Sequence, residues 1–159
     1  MSKVRQNQVS NPSQAVKQAG GIVAGTIVMT LDGALPVEYL TPGDRILTRS
    51  GAKELKAISV RVDQNVTMVR AGTGTLGHGR PSTETLVPLH QMLLIRDWRA
   101  QALYGAPQAF VAAGRLADGH LVRLETISEV RVFTLDFDAD EVIYAGGLEM
   151  ACLRETVSV

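Results

Sequence analysis

The chain has 159 residues, of which 45% are hydrophobic and 20% charged, a composition typical of a soluble globular domain with a real core. Its 16 basic and 16 acidic residues leave no formal net charge. This balance argues against strong binding to nucleic acid or to an anionic membrane, because both need a basic surface. We therefore expect a protein partner of unknown identity, with no nucleic-acid or membrane contacts. The oligomeric state is left open.

The single cysteine, Cys152, cannot form an internal disulfide or a cysteine-rich zinc site. Its apolar neighbours predict a buried thiol rather than a nucleophile. The first 20 residues have no apolar segment of the kind that a secretory signal needs. No apolar run approaches the roughly 18 residues of a membrane span. These features predict a cytoplasmic protein, and no motif indicates a cofactor or a metal.

Residues 1–19, rich in Gln, Asn, Ser and Val, are expected to form a flexible N-terminal arm, with one domain over residues 20–159. Turn signals divide that domain into short β-prone segments, because proline presets φ and glycine accepts positive φ. The segments comprise residues 22–29, 35–40, 45–49, 55–62, 66–69, 86–95, 121–124, 130–137, 141–144 and 148–153.

Three connecting regions complete the pattern. Residues 71–82 contain four glycines and are predicted to be a surface loop, since they lack the lysine ending of a phosphate-binding loop. Residues 97–109 are predicted to be irregular, and residues 110–116 to be one helical turn or an extended connector. Many short strands without a long amphipathic helix indicate an all-β fold.

The order of the motifs from Gly25 onward resembles that of a Hint (Hedgehog/intein) domain. Residues 25–33 (GTIVMTLDG), 35–40 (LPVEYL) and 42–48 (PGDRILT) follow one another as at the start of that family. A later set is similar to the bacterial Hint type 2 branch, at residues 87–93 (VPLHQML), 133–137 (FTLDF) and 141–148 (EVIYAGGL).

The resemblance implies an all-β, flattened β-horseshoe of many short strands with pseudo-twofold halves. In this family the first residue, a Cys or Ser, attacks the carbonyl of the residue before it and forms a (thio)ester. The position four residues before Gly25 is Gly21, which has no side chain. The nucleophile is therefore substituted. Thr26 and Thr30 lie within the first strand segments and are not expected to replace it.

The family's general acid is a histidine that donates a proton to the scissile amide nitrogen, and the resemblance assigns this position to His90. Val87 stands where the family has a Thr or Ser that holds the amide. With no nucleophile to serve, His90 is expected to be a vestigial histidine in or near the core. Leu135 and Asp140 replace two further histidines of close relatives, and no terminal His-Asn pair is present.

The remaining candidates have simple structural interpretations. His78, His90 and His120 lack the spacing of a metal site. The acidic residues of 136–141 predict a solvated turn, with a weak cation site as the alternative. Within residues 96–99, an arginine is expected either to pack on the indole of the tryptophan or to contact a partner.

Two functional hypotheses follow. The first is a degenerate Hint domain whose self-processing is lost and which serves as a binding or scaffold module. The second is residual self-cleavage before Gly21, in which water replaces the nucleophile and His90 assists. A hydrolase acting on other molecules is not supported, because no set of nucleophile, base and orienting group is recognisable.

Overall fold

The computed structural model describes residues 20–72, 74 and 84–154. The predicted arm, residues 1–19, and most of the glycine-rich loop lie outside these residues. The described strands are β1 (Ile22–Val23), β2 (Ile27–Thr30), β3 (Gly33–Pro36), β4 (Arg45–Thr48), β5 (Gly51–Glu54), β6 (Ala57–Ala71), β7 (Thr85–Pro88), β8 (Met92–Ile95), β9 (Ala109–Ala112), β10 (Val122–Asp136), β11 (Glu141–Ala145) and β12 (Leu148–Cys152).

These strands form two sheets. A four-stranded sheet has the order β1-β10-β6-β7, and an eight-stranded sheet has the order β3-β2-β4-β11-β12-β8-β9 with β5 paired to β4. Every strand pairing within the described residues is antiparallel. The all-β prediction is therefore confirmed.

The short strands of the first half follow the turn chemistry of the sequence. Gly33 and Gly51 adopt positive φ angles of 108° and 100°, which glycine reaches without strain. They close the β2–β3 and β4–β5 hairpins, in which Thr30 lies opposite Gly33 and Thr48 opposite Gly51. In each hairpin the threonine hydroxyl donates to the glycine carbonyl oxygen at 2.7 Å. The alternation of these strands buries one face against the core.

Strands β6 and β10 are longer than the sequence predicts. The segments expected at 55–62 and 66–69 belong to one 15-residue strand, and those at 121–124 and 130–137 belong to another. The two strands pair in one continuous register from Ala57–Asp136 to Ala71–Val122. Asn65 takes a left-handed φ of 51° within β6, a conformation that asparagine tolerates better than most residues. The strand therefore distorts locally without losing its register.

The predicted strand at 86–95 is two strands. Pro88 ends β7 because it has no N–H to donate to β6, and the Gln91 N–H donates to the Pro88 carbonyl oxygen at 3.1 Å. This turn sends the chain from the smaller sheet, which contains β7, to the larger, which contains β8. It places residues 89–91 where the two sheets meet.

The region predicted to be irregular, 97–109, contains helix α1 (Trp98–Tyr104). The Asp97 side chain accepts a hydrogen bond from the Arg99 N–H and caps the helix, as an aspartate at an N-cap does. Gly105 ends it with a left-handed φ of 65°. Residues 110–116 divide into the end of β9 and the 3-10 helix Ala113–Leu116, so both alternatives for this connector are realised in part.

One large apolar cluster joins the two sheets. Its fully buried side chains include Ile22 of β1, Ile46 of β4 and Ile143 of β11. Because the cluster draws on strands from both ends of the domain, the chain near Gly21 and the chain near Cys152 are both held against it.

No helix among the described residues is long and apolar enough to cross a membrane.

Candidate functional site

The peptide bond between Gly20 and Gly21 is held by side chains at both of its polar atoms. The Gly21 N–H donates to Oε1 of Gln91 at 2.8 Å. The Gly20 carbonyl oxygen accepts from Nη2 of Arg61 at 2.9 Å. Strand β1 begins at the next residue, Ile22, and pairs with Phe133 of β10. The sheet therefore fixes one end of this peptide unit and the two side chains fix its plane.

Gln91 is the central residue of the site and is only 2% exposed. Its Nε2 donates to the Met92 carbonyl oxygen at 2.9 Å and to the Ala151 carbonyl oxygen at 2.7 Å. One N–H donor and two carbonyl acceptors surround the amide, so its oxygen must face Gly21 and its nitrogen the two carbonyls. Gln91 thus joins the start of the domain to its last strand, β12.

The backbone at Gly20 and Gly21 leaves no room for side chains. Their φ angles are +99° and +135°, a region that residues with a Cβ rarely adopt. A Cβ on Gly21 would lie 2.4 Å from Cγ1 of Val132 and 3.0 Å from the Phe133 carbonyl oxygen. A Cβ on Gly20 would lie 2.8 Å from the Gln91 Cα. At Gly21, the position that the motif order assigns to the nucleophile, the backbone therefore does not accept a Cys or Ser without rearrangement.

Arg61 is positioned by its neighbour on the same strand. Its Nε donates to Oδ2 of Asp63 at 3.0 Å, and residues 61 and 63 lie on the same face of β6 because side chains alternate along a strand. The carboxylate orients the guanidinium so that Nη2 reaches Gly20. A positive charge therefore faces the carbonyl oxygen of the Gly20–Gly21 peptide bond.

His90 is exposed, so the prediction that it lies in or near the core is wrong. It follows β7 in the tight turn after Pro88, and it lines a cavity of about 390 Å³ together with Pro88, Leu89 and residues 61–68. Gln91, the next residue, turns inward instead and makes the contact with Gly21. The motif of residues 87–93 therefore lies beside the expected peptide bond. The group that accepts the Gly21 N–H is the side-chain amide of Gln91 and not His90.

The three other residues that the resemblance places at family positions have structural roles. Val87 is fully buried and lies opposite Val69 in the β6–β7 pair. Leu135 is buried opposite Ile58. Asp140 is exposed, and its carboxylate accepts from the Arg154 N–H at 2.5 Å. Val87 and Leu135 have hydrocarbon side chains and cannot donate a proton or a hydrogen bond to an amide as a histidine or a hydroxyl would.

Cys152 is buried, as predicted. Burial, with a smaller effect of the nearby Glu141 carboxylate, raises the pKa of its thiol to about 12. A thiol with this pKa is almost entirely protonated at neutral pH and is therefore a poor nucleophile. This agrees with the structural interpretation of the cysteine.

The acidic segment 136–141 is only partly the solvated turn that the sequence predicts. Asp136 Oδ1 accepts from the Asp138 N–H at 3.0 Å, within an exposed turn. Glu141, however, is buried at the start of β11, and the prediction is wrong for this residue. Within residues 20–72, 74 and 84–154, no three His, Cys, Asp or Glu side chains are grouped so as to hold a metal ion.

Trp98 and His120 both lie on the surface. The Arg99 guanidinium lies 4.9 Å from the centroid of the Trp98 ring, so the predicted arginine–indole contact is confirmed. His120 is exposed, and the backbone N–H of this residue donates to Asp118 at 2.8 Å. His78 lies outside the described residues.

Sequence reasoning missed Arg61 and Gln91. The signal for Gln91 was present, since a lone amide within the apolar segment 86–95 must find hydrogen-bond partners once buried. Arg61 gave no such signal, because an arginine in an alternating strand is ordinarily a solvated residue.

The sequence analysis also missed Glu149. It is 3% exposed and accepts from Arg49 at 2.9 Å and from Arg96 at 2.8 Å.

Comparison with known proteins gives a consistent result. A family model described as a Hint domain (Hint_2) matches residues 21–156. No curated protein sequence matches the chain significantly. Several solved structures have a similar fold. The gp41-1 intein has a TM-score of 0.55 at 14% identity, over 82% of this chain and 97% of its own.

A bacterial intein-like domain from Clostridium thermocellum has a TM-score of 0.55 at 18% identity, over 84% of this chain and 98% of its own. The MchDnaB-1 intein has a TM-score of 0.52 at 13% identity, over 81% of this chain and 98% of its own. The family match covers most of the chain, and the chain therefore belongs to the Hint domain family. This is the family of autoprocessing and protein-splicing domains, and the Hint-type all-β fold expected from the motifs is confirmed.

Proposed function

We propose that this chain is a Hint domain that no longer processes itself and that serves as a binding or scaffold module. The observation that carries the proposal is the arrangement around the Gly20–Gly21 peptide bond. Gln91 accepts its N–H, Arg61 donates to its carbonyl oxygen, and the backbone between them is restricted to glycine. The bond stands where the family's reaction begins, in surroundings that keep it intact.

The missing nucleophile accounts for the first part of this inactivity. An acyl shift needs a hydroxyl or thiol on the residue that follows the attacked carbonyl. Gly21 offers neither group, and its Cβ position is already filled by Val132 and the Phe133 carbonyl oxygen. Cys152 does not replace it, because it is buried and its pKa is raised to about 12.

The proton needed by the leaving nitrogen accounts for the second part. Breaking a peptide bond requires that its nitrogen gain a proton as the bond breaks. The N–H of Gly21 donates to Oε1 of Gln91, which is an acceptor and cannot itself supply the additional proton. His90, the family's acid, is exposed in the turn beside this amide.

One observation favours the second candidate function, slow self-cleavage before Gly21. The Arg61 guanidinium donates to the Gly20 carbonyl oxygen, and a positive charge there stabilises the oxyanion that an attacking water molecule would produce. We propose that this stabilisation is insufficient alone, since Gln91, the group bonded to the Gly21 N–H, cannot supply the proton that the leaving nitrogen needs. Arg61 instead serves to orient the peptide.

The test is intact mass spectrometry of the purified full-length chain after incubation with and without dithiothreitol or hydroxylamine, which cleave (thio)esters. We expect the full-length mass under every condition. A fragment that begins at Gly21 would refute the proposal. If its formation were lost in a His90→Ala variant, residual self-cleavage assisted by His90 would be the function.

A Gly21→Cys variant supplies the matched control for the backbone argument. We expect it to remain uncleaved although it carries the missing nucleophile, because its Cβ would lie 2.4 Å from Val132. Its circular dichroism spectrum is recorded alongside, so that loss of folding is recognised. Cleavage of a folded Gly21→Cys variant would refute the backbone argument and would leave the missing nucleophile as the sole cause of the inactivity.

A further inference from the structure

The cavity beside His90 runs along the edge of a strand. Residues 61–68 of β6 all line it, and Pro88, Leu89 and His90 bound it where β7 ends. Consecutive residues of a strand point to opposite faces of the sheet. A cavity in contact with eight consecutive residues therefore follows the backbone edge of β6 and does not lie over one face.

This edge has a place for one more strand. On the side of β6 opposite β10, strand β7 pairs only with Met68–Ala71. Pro88 then ends β7, and the chain turns away. Among the residues that the structure describes, no strand pairs with residues 61–67 on this side. Their length is about 23 Å, at about 3.3 Å for each residue, and it continues the line of β7.

The composition of this edge favours pairing. Exposed edges are usually protected by charges or proline. Residues 64–68 of β6 carry no charged side chain, and the charges of Arg61 and Asp63 are paired with each other. Val62 is 55% exposed beside them. By contrast, residues 123–131 on the outer edge of β10 carry four charged side chains.

We infer that the edge of β6 from residue 61 to residue 67 binds an extended segment of a partner protein by strand addition, antiparallel to β6. This rests on the proposed non-catalytic binding function and names its partner class. The segment is uncharged, because the cavity's charged pair is neutral. Its apolar side chains lie beside Val62, Val66 and Leu89, and its polar side chains alternate with them. Main-chain hydrogen bonds provide the affinity.

A single strand fits this place better than the edge of a second copy. The turn at Pro88, Leu89 and His90 bounds the cavity at one end, and another sheet would have to enter a space already bounded on that side. We propose the antiparallel direction because the partner strand would then continue the ladder that β7 forms with β6, which is antiparallel.

The test uses the full-length chain and a synthetic fluorescent peptide of alternating valine and threonine with a lysine at each end for solubility. Binding is measured by fluorescence anisotropy. We expect saturable binding that weakens at least tenfold in a Val62→Lys variant. A Leu124→Lys variant on β10 is the matched control, since Leu124 is 54% exposed, and we expect it to bind as the unchanged protein does. A peptide with proline at its central valine should not bind.

Hydrogen exchange provides the second measurement. Bound peptide should slow exchange of those amides in residues 61–67 that point away from β10, and should leave the amides in residues 123–131 unchanged. Absence of saturable binding, or equal binding by the Val62→Lys variant or the proline peptide, would overturn the inference. Protection, in the free protein, of those 61–67 amides that point away from β10 would assign the edge to another segment of this chain. A dimer that Val62→Lys dissociates would assign it to a second copy. These outcomes are independent of the mass measurement of self-cleavage.

Discussion

Replacing Gln91 with leucine removes the contact that joins the two ends of the domain. The substitution keeps most of the side-chain volume, so it tests the hydrogen bonds rather than the packing. Three bonds are lost, to the Gly21 N–H and to the Met92 and Ala151 carbonyl oxygens. The bond to Ala151 is fully buried.

The expected cost follows from these contacts. A hydrogen bond contributes about 1 kcal/mol, and a buried group left without a partner adds a penalty of about 1–3 kcal/mol. Three lost bonds with one fully buried acceptor therefore lower the free energy of unfolding by about 4–6 kcal/mol. For a chain of this length that corresponds to a fall in Tm of about 10–20 °C.

Urea denaturation measures the loss in the Gln91→Leu variant, with Gln101→Leu on the exposed face of α1 as the control. The control should change stability by no more than about 0.5 kcal/mol. Hydrogen exchange adds a local measurement, since the Gly21 amide proton should exchange faster in Gln91→Leu under native conditions. A loss of less than about 1 kcal/mol with an unchanged Gly21 exchange rate would refute the role given to Gln91.

Two further predictions concern the same part of the molecule. A Gly21→Ala variant should be destabilised by about 2–4 kcal/mol, because of its positive φ and its contact with Val132. In a double-mutant cycle, the variant that also carries Val132→Ala should be destabilised by about 1 kcal/mol less than the sum of the two single variants. Additive costs would mean that Val132 is not the obstacle. The thiol of Cys152, with its pKa raised to about 12, should stabilise the fold fully below pH 9, and this stabilisation should be lost as the pH rises toward 12. A Cys152→Ala variant should show a shallower decline in that range, and identical pH profiles would contradict the burial argument.

The sequence predicted well those parts of the fold that local chemistry decides. The hairpin turns at Gly33 and Gly51 depend on glycine at positive φ, and the motifs from Gly25 to Asp44 carried the family. Helix α1 was missed although both of its ends were readable, at Asp97 and Gly105, because seven residues give too short a pattern to recognise. The sequence also did not predict that the segments 55–62 and 66–69 form the single strand β6. The strand continues through Asn65 because both parts pair with β10, and this long-range pairing is not visible in the local sequence.

The sequence assigned family positions to residues, but did not predict the contacts that surround the Gly20–Gly21 peptide. Gly21, Val87 and His90 came from the order of the motifs, whereas the groups that hold the Gly20–Gly21 peptide did not. Gln91 is 70 residues from Gly21 in sequence, and Arg61 is 41 residues from Gly20. Contacts over such separations depend on how β1 and β6 are placed by β10, and no local pattern encodes that placement.

The contact made by Gln91 also determines how the domain responds to force. Gly21 and Ala151 are bonded to opposite ends of one side-chain amide, so the chain enters and leaves the domain at nearly the same point. A force applied to the segments that flank the domain would act first on these two hydrogen bonds, which lie in series between Gly21 and Ala151, before it shears either sheet. The domain should therefore open from this corner at low force, while the long β6–β10 ribbon remains folded until later.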